Sequence, residues 1–255
     1  MQTPVNTLKK TLKSGQVQRG IWLTSGTGIL AELAGTAGFD WCLIDGEHGP
    51  NTVSEILPQL QALAISGTPA VVRVANAEAW MIKQVLDLGC QTVVVPMVDD
   101  AQTAKAMARA MRYPPQGNRG MGASLARATG FGAVADYPHA ANDQVCLLVQ
   151  AESAQAVENI DAIAAIEGVD GVFVGPADLS ADMGYPGQPD HPEVEAAIDH
   201  LIARTVAAGK IAGIITFDES RLNAYAEKGV TFLGVGGDMM ILGSALRGLA
   251  ARIKT

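Results

Sequence analysis

The chain has 255 residues, of which 48% are hydrophobic and 17% charged, and its formal net charge is −8. This size and apolar content suit one large α/β domain or two small ones, and the low charged fraction leaves surface that an oligomer could bury. No basic run is longer than two residues, so we do not expect the protein to bind nucleic acid.

The first 16 residues lack the apolar stretch of a signal peptide, and no apolar run is long enough to span a membrane. We therefore predict a cytoplasmic protein with no membrane partner. The cysteines at positions 42, 90 and 146 have no CxxC spacing and lie in or beside apolar runs. That pattern predicts buried thiols in a reducing compartment rather than disulfides or a metal cluster.

A short helix is predicted at residues 5–13, and after it eight apolar, β-branched runs alternate with eight helical patterns. The predicted strands are residues 20–23, 41–45, 70–74, 92–96, 145–150, 171–174, 212–215 and 232–235. The predicted helices are residues 29–34, 53–65, 79–88, 101–111, 154–166, 192–208, 219–228 and 239–253. Continuous apolar strands are typical of parallel sheets covered on both faces.

Eight βα units are the number found in a TIM barrel, so we predict one (β/α)8 barrel domain over residues 1–255. A doubly wound sheet is the alternative, but it would usually have fewer strands and a Gly-x-Gly-x-x-Gly turn after the first. Residues 113–142, rich in Gly, Pro and Ala, interrupt the rhythm and are predicted to form one long loop. As an αβ connection it belongs to the bottom of the barrel, where a loop of this length points to function or assembly.

Two acidic residues follow apolar strands at the expected mouth of the barrel. Glu152 ends the run LLVQAE, and Asp178 lies in VFVGPADLS, one strand-helix-strand step further on. Carboxylates beyond neighbouring parallel strands converge at the end of the barrel where catalysis occurs. The pair suits a hard divalent cation that keeps positions open for water and substrate. The alternative is one helix cap and one surface carboxylate.

Further polar residues follow the other strands. His48, in DGEHG after the second strand, is a candidate general base, although a lone histidine is more often structural. Arg73 lies within an apolar strand and must meet an anion, which is either Asp45 or a substrate oxyanion. Gly175-Pro176-Ala177 opens a turn whose N–H groups at Ala177 and Asp178 could hold a substrate carboxylate. The other histidines, at 139, 191 and 200, are predicted to lie on the surface.

Long motifs in this chain resemble the HpcH/HpaI aldolase family, the metal-dependent class II pyruvate aldolases. They include AGFDWCLIDGEHGP, QVLDLGCQTVVVPMV, RYPPQGNRGMG, LLVQAE and GPADLSADMGYPGQPDHPEV. The resemblance implies Mg²⁺, Mn²⁺ or Co²⁺ on Glu152 and Asp178. It also implies that Arg73 contacts the pyruvyl keto oxygen and that His48 serves acid–base chemistry, with Asp45 orienting Arg73 or the His48 loop and Gln150 lining the metal site.

In the family, an Asp at the position of Asp87 pairs with the catalytic histidine. The sequence places Asp87 at the end of a helix, at the bottom of the barrel, and so out of reach of His48 in the same chain. The resemblance therefore implies active sites shared between subunits of a homo-oligomer, expected to be a hexamer.

The implied reaction is reversible cleavage of a 4-hydroxy-2-oxoacid to pyruvate and an aldehyde, with 4-hydroxy-2-oxoheptanedioate as the first candidate substrate. The alternatives are 2-dehydro-3-deoxyglucarate, 2-keto-3-deoxyrhamnonate and, less favoured, a citryl- or malyl-CoA type lyase that needs a basic patch for CoA. No lysine ends a predicted strand, which disfavours a Schiff-base mechanism. A non-catalytic binding protein would have no need of metal ligands, Arg73 and His48 together.

Overall fold

The computed structural model describes residues 1–254, in which eight parallel strands close into one barrel in the order of the sequence. The strands are β1 Gln18–Leu23, β2 Trp41–Asp45, β3 Ala70–Arg73, β4 Thr92–Val95, β5 Cys146–Ala151, β6 Gly171–Val174, β7 Ile211–Ile215 and β8 Val230–Gly237. All eight predicted strands are present, with ends shifted by at most two residues. The predicted (β/α)8 barrel is confirmed.

The helices are α1 Thr7–Lys13, α2 Gly28–Gly35, α3 Val53–Ser66, α4 Ala79–Asp87, α5 Ala101–Ala110, α6 Tyr137–Gln144, α7 Ala154–Ala164, α8 Pro176–Asp182, α9 Pro192–Ala207, α10 Leu222–Glu227 and α11 Asp238–Arg252. Short 3-10 turns cover Arg127–Thr129 and Glu219–Arg221. The second of these turns and α10 together replace the single helix predicted at residues 219–228.

The prediction of an uninterrupted loop over residues 113–142 is wrong, because α6 begins inside it at Tyr137. The sequence of α6, YPHAANDQ, has too few apolar residues to show a helical period. A proline in its first turn is compatible with a helix start, and the buried side chains of Tyr137 and Ala141 fix the helix against its surroundings. Helix α8 was also not predicted, since its seven residues read as a turn.

Aromatic side chains fill the interior of the barrel. The rings of Trp41 and Phe232 stack with centroids 4.0 Å apart, and Trp22 lies 5.4 Å from Phe173. A Cβ at Gly20 would lie 2.0 Å from the Trp41 ring, so this strand position has room only for glycine. The interior is therefore a solid plug that closes the barrel below its C-terminal mouth.

The three cysteines are free and buried, as predicted. Burial raises the pKa of both Cys42 and Cys90 to about 12, so neither thiol is a reactive nucleophile at neutral pH. No helix within residues 1–254 is both long and apolar enough to cross a bilayer.

Helix α11 differs from the other long helices because none of its residues is buried. Six of its apolar side chains are between 39% and 58% exposed, namely Met239, Met240, Ile241, Leu242, Leu246 and Leu249. A helix with apolar side chains on several faces normally packs against protein on those faces. The single chain thus leaves an apolar helix largely uncovered.

Candidate active site

A cavity of about 280 Å³ opens at the C-terminal ends of the strands. Its floor includes Trp22 and Phe173 from the aromatic plug. Six of the predicted site residues line it: Asp45, His48, Arg73, Gln150, Ala177 and Asp178. No lysine of the described chain lines this cavity.

Arg73 is held by two carboxylates at the base of this cavity. Its Nε and Nη2 donate to the two oxygens of Asp45 at 2.8 and 2.7 Å, and its Nη1 lies 2.9 Å from Glu47 Oε2. Burial alone would lower the pKa of Arg73, but hydrogen bonds and charge from Asp45, with the charge of Glu47, outweigh burial and raise that pKa. A guanidinium has five N–H groups, so at least two stay available to a ligand in the cavity.

Asp45 also fixes the loop that carries His48. Its Oδ1 accepts from the backbone N–H groups of Glu47 and His48 at 3.1 and 3.4 Å. A Cβ at Gly46 would lie 2.8 Å from the Arg73 carbonyl oxygen, which explains the glycine after Asp45. The Asp45 side chain therefore orients both Arg73 and the loop that carries His48.

The His48 imidazole lies at the rim of the cavity with 62% of its side chain exposed, and its Nε2 is 4.0 Å from Glu47 Oε1. Glu47 was not among the residues predicted for the site. Burial raises its pKa, against the lowering effects of Arg73 and His48. The sequence feature that could have identified Glu47 as a site residue is its position between Gly46 and His48 in DGEHG.

Glu152 is buried directly beside the cavity, with 1% of its surface exposed. The backbone N–H of Met97 donates to Glu152 Oε1 at 2.8 Å, and Gln150 Nε2 donates to Glu152 Oε2. Burial raises the pKa of Glu152 to about 7, and the negative charge of Asp178 adds to the effect. Glu152 therefore keeps its proton up to about neutral pH unless a positive charge compensates it.

These residues provide oxygen ligands that fit a divalent cation. Gln150 Oε1 is buried without a hydrogen-bond partner, and it accompanies two carboxylates, Glu152 and Asp178. Gly175 permits close approach, because a Cβ there would lie 2.3 Å from Glu152 Oε2. Carboxylate and amide oxygens are what Mg²⁺ and similar hard cations prefer. No cluster of three or more His, Cys, Asp or Glu suited to a metal occurs within residues 1–254, so such an ion would bind these two carboxylates and the amide oxygen.

Three residues near the mouth contribute through their backbones. Met97, after β4, has φ 53°, a left-handed conformation that is uncommon for a residue other than glycine. Strained backbone of this kind concentrates at functional sites. Here it directs the Met97 N–H to Glu152. Ala177 and Asp178 lie in the first turn of α8, where N–H groups have no partner within the helix.

Asp87 lies at the end of α4 and does not line the cavity. It forms an ion pair with Arg119, whose Nη2 is 2.6 Å from Asp87 Oδ1. The guanidinium of Arg119 is buried and lies 4.4 Å from the centroid of the Tyr113 ring. The structure thus places Asp87 with residues 113–142 at the bottom of the barrel, and does not bring it to His48 within one chain.

The remaining histidines lie outside the cavity. His139 and His200 are exposed, as predicted, whereas His191 is half-buried. Its ring stacks on Tyr185 at 3.6 Å, and its Nδ1 accepts from the Glu193 N–H at the start of α9. These contacts give His191 a structural role as a helix cap.

Comparison with known proteins connects this geometry to a family. The family model for HpcH/HpaI aldolase/citrate lyase matches residues 18–245. A hydroxypyruvate/pyruvate aldolase of Agrobacterium fabrum is 54% identical over all of this chain and 96% of its own length. A 2-keto-3-deoxy-L-rhamnonate aldolase of Salmonella gallinarum is 48% identical, over 98% of this chain and 94% of its own length. The crystal structure of an HpcH/HpaI aldolase/citrate lyase family protein from Burkholderia cenocepacia has a TM-score of 0.93 and 38% identity, covering 98% of this chain and all of that one.

Proposed function

Because the chain belongs to the HpcH/HpaI aldolase/citrate lyase family, we propose that it is a divalent-metal-dependent pyruvate aldolase. It is a carbon–carbon lyase, as its named aldolase relatives are. The observation that carries the metal dependence is the buried Glu152, its pKa raised to about 7, beside the unpartnered Oε1 of Gln150. This arrangement is unfavourable without a cation and favourable with one.

The nucleophile in this proposal is the enolate of pyruvate or hydroxypyruvate, and the acceptor is an aldehyde. The relatives' names support the nucleophile, and one of them matches the 2-keto-3-deoxyrhamnonate alternative. Cleavage of 4-hydroxy-2-oxoheptanedioate or 2-dehydro-3-deoxyglucarate stays a prediction. A CoA lyase is less well supported, because Arg73 is the only Lys or Arg that lines the described cavity.

A divalent ion on Glu152, Asp178 and Gln150 Oε1 would supply positive charge for the enolate oxygen. The free N–H groups of Arg73 bind the same keto oxygen and hold it in place as negative charge develops. The unpaired N–H groups of Ala177 and Asp178 at the start of α8 bind the substrate carboxylate. The aromatic floor at Trp22 and Phe173 keeps water from the far side of the substrate.

His48 moves the proton at the outer end of the substrate. Its exposed position at the rim suits exchange with the aldehyde or hydroxyl oxygen, the group that changes protonation when the carbon–carbon bond breaks. Glu47, 4.0 Å from His48 Nε2, is the nearest carboxylate within the chain. Asp87 of a second copy is the partner that the family resemblance implies.

We propose accordingly that the protein is a homo-oligomer, expected to be a hexamer, with active sites shared between copies. Uncovered apolar surface supports this assembly at two places. One is helix α11. The other is the segment beside Asp87, where Met121, Leu125 and Phe131 are 60%, 83% and 73% exposed. Exposed apolar patches of this kind usually indicate a protein–protein interface.

Two assays test the proposal. EDTA is expected to abolish pyruvate release from a 4-hydroxy-2-oxoacid, and Mn²⁺ or Mg²⁺ to restore it. Borohydride with pyruvate is expected to leave the enzyme active, while a trapped lysine adduct would contradict the mechanism. A panel of aldehydes with pyruvate or hydroxypyruvate and Mn²⁺, scored as kcat/KM, then ranks the candidate substrates.

A further inference from the structure

A second cavity, of about 1020 Å³, lies at the opposite end of the barrel from the substrate cavity. It is bounded by α1, by one face of α5, by the end of α6 and by residues that follow α5 and α7. Five cationic side chains line it, namely Lys9, Lys13, Lys105, Arg109 and Arg112, with the carboxylates of only Asp143 and Glu167. Five of the 18 Lys and Arg residues of a chain with net charge −8 thus face one groove.

Two of these cations share one carboxylate. Lys13 Nζ lies 2.8 Å from Asp170 Oδ1, and Lys9 Nζ lies 3.6 Å from the same atom. Lys9 also donates to the carbonyl oxygens of Asp143 and Val145 at 3.0 and 2.6 Å. These two lysines therefore fasten α1 to the barrel.

The other three cations are not paired. No ion pair within 4.0 Å joins Lys105, Arg109 or Arg112 to a carboxylate in the described chain. Gly168 makes room for the Arg112 guanidinium, since a Cβ there would lie 2.3 Å from Arg112 Nη1. Unpaired guanidinium groups held in a groove are the usual means of binding phosphate.

Stabilisation of helix ends does not account for this set. Cations near a helix C-terminus interact favourably with its dipole, which explains Arg109 in the last turn of α5. Lys105, however, lies in the middle of that helix, and α5 contains no acidic residue to pair with it. Lys105 and Arg109 are four residues apart and lie on one face of α5. Arg112 follows the end of that helix, and all three side chains line the groove.

We infer that this groove binds an organic phosphate, a ligand that none of the chemistry at the barrel mouth requires. The arginine forks hold the phosphoryl oxygens, and Lys105 adds a third positive charge. The amide side chains of Gln116 and Asn142, which also line the groove, are available to hydroxyl or carboxylate groups on the rest of the molecule. The site is independent of the proposed aldolase activity because it lies at the other end of the barrel.

The test uses 3-phosphoglycerate as the probe and glycerate, which lacks the phosphate, as its matched control. Isothermal titration calorimetry on the intact oligomer, at fixed ionic strength and with saturating pyruvate, is expected to detect 3-phosphoglycerate and not glycerate. Lys105→Ala/Arg109→Ala is expected to weaken binding at least tenfold. Both side chains are exposed, so this variant should fold normally. The control Arg204→Ala/Lys228→Ala removes two charges from exposed ion pairs elsewhere and is expected to bind like the wild type.

Three results would overturn the inference. The first is no binding of 3-phosphoglycerate by the wild type at millimolar concentration. The second is an equal loss in both double variants, which would show attraction to overall charge. The third is binding that appears only in a parallel titration without pyruvate, which would place the phosphate at the barrel mouth. Aldol cleavage measured on the same preparations keeps this outcome separate from the proposed function, because Lys105→Ala/Arg109→Ala is expected to keep its basal activity.

Discussion

Replacing Arg73 with Met separates its structural role from its catalytic one. The side chain is buried and holds Asp45 through two hydrogen bonds of 2.8 and 2.7 Å. Arg73→Met leaves Asp45, which is 1% exposed, as an unpaired buried carboxylate. Losing one partner of a buried ion pair costs about 3–5 kcal/mol of unfolding free energy. For a chain of this size that corresponds to a fall in Tm on the order of 10 °C.

The double variant Arg73→Met/Asp45→Asn removes the stranded charge but keeps an oxygen to accept from the His48 loop. We expect it to regain much of the lost stability, because the fully buried carboxylate is then neutral and only the half-buried Glu47 still lacks the charge of Arg73. Its activity should stay roughly 10²–10³ below the wild type, since the donor to the developing oxyanion is still missing.

The assay combines urea unfolding with aldol cleavage, measured as kcat per folded molecule, for the wild type, both single variants and the double variant. If activity returns together with stability in Arg73→Met/Asp45→Asn, Arg73 serves only as a structural partner of Asp45. The proposed contact with the keto oxygen would then be wrong.

Three further predictions concern the metal ligands and the assembly. Because burial raises the pKa of Glu152 from 4.5 to about 7, the metal-free native state holds more protons than the unfolded chain between these values. Glu152 should therefore make the stability of the metal-free protein fall as pH rises through this window, by roughly 3 kcal/mol. Glu152→Gln should remove this contribution and leave only the part due to Glu47, whose pKa burial also raises. Met97→Asn, which tolerates φ 53°, should keep the Mn²⁺ affinity, whereas Met97→Val should lower it about tenfold. Mixing inactive His48→Ala and Asp87→Ala subunits should restore part of the activity if heteromers form.

Each of these predictions has its own contrary result. Stability of the metal-free protein that does not change between pH 4.5 and 7 would mean that Glu152 is compensated by a group other than a metal. Equal Mn²⁺ affinity in the Asn and Val variants would show that the backbone conformation of Met97 does not position Glu152. Heteromers seen by native mass spectrometry without recovered activity would show that Asp87 does not act across subunits, leaving Glu47 as the partner of His48.

The barrel and most of its mouth could be predicted from the sequence, because both depend on local patterns. Buried parallel strands have continuous apolar sequences, and a polar residue that directly follows such a strand must lie at the C-terminal mouth of the barrel. The sequence left open whether the anion that meets Arg73 is Asp45 or the substrate. The five N–H groups of its guanidinium are enough to bind both. Such an inference needs only chain order and the chemistry of one side chain.

The missed features depend on contacts between distant segments. The N–H of Met97 reaches Glu152 across 55 positions of sequence, and no local pattern encodes a backbone donor. Helix α6 forms because Tyr137 and Ala141 are buried by residues outside the helix. The groove at the bottom of the barrel joins α1 to α5 and to the residues after α7. Each of these segments alone reads as an ordinary charged surface.

The most direct test of the central claim is deuterium exchange of the pyruvate methyl group, followed by NMR, with no aldehyde present. The proposal predicts no exchange after EDTA treatment and full recovery with Mn²⁺ or Mg²⁺. It predicts no recovery in Glu152→Gln or Asp178→Asn, whose weakened Mn²⁺ binding can be checked separately by electron paramagnetic resonance. Exchange that persists without metal, or in a Glu152→Gln variant shown to bind no Mn²⁺, would contradict a metal-dependent enolate at this site.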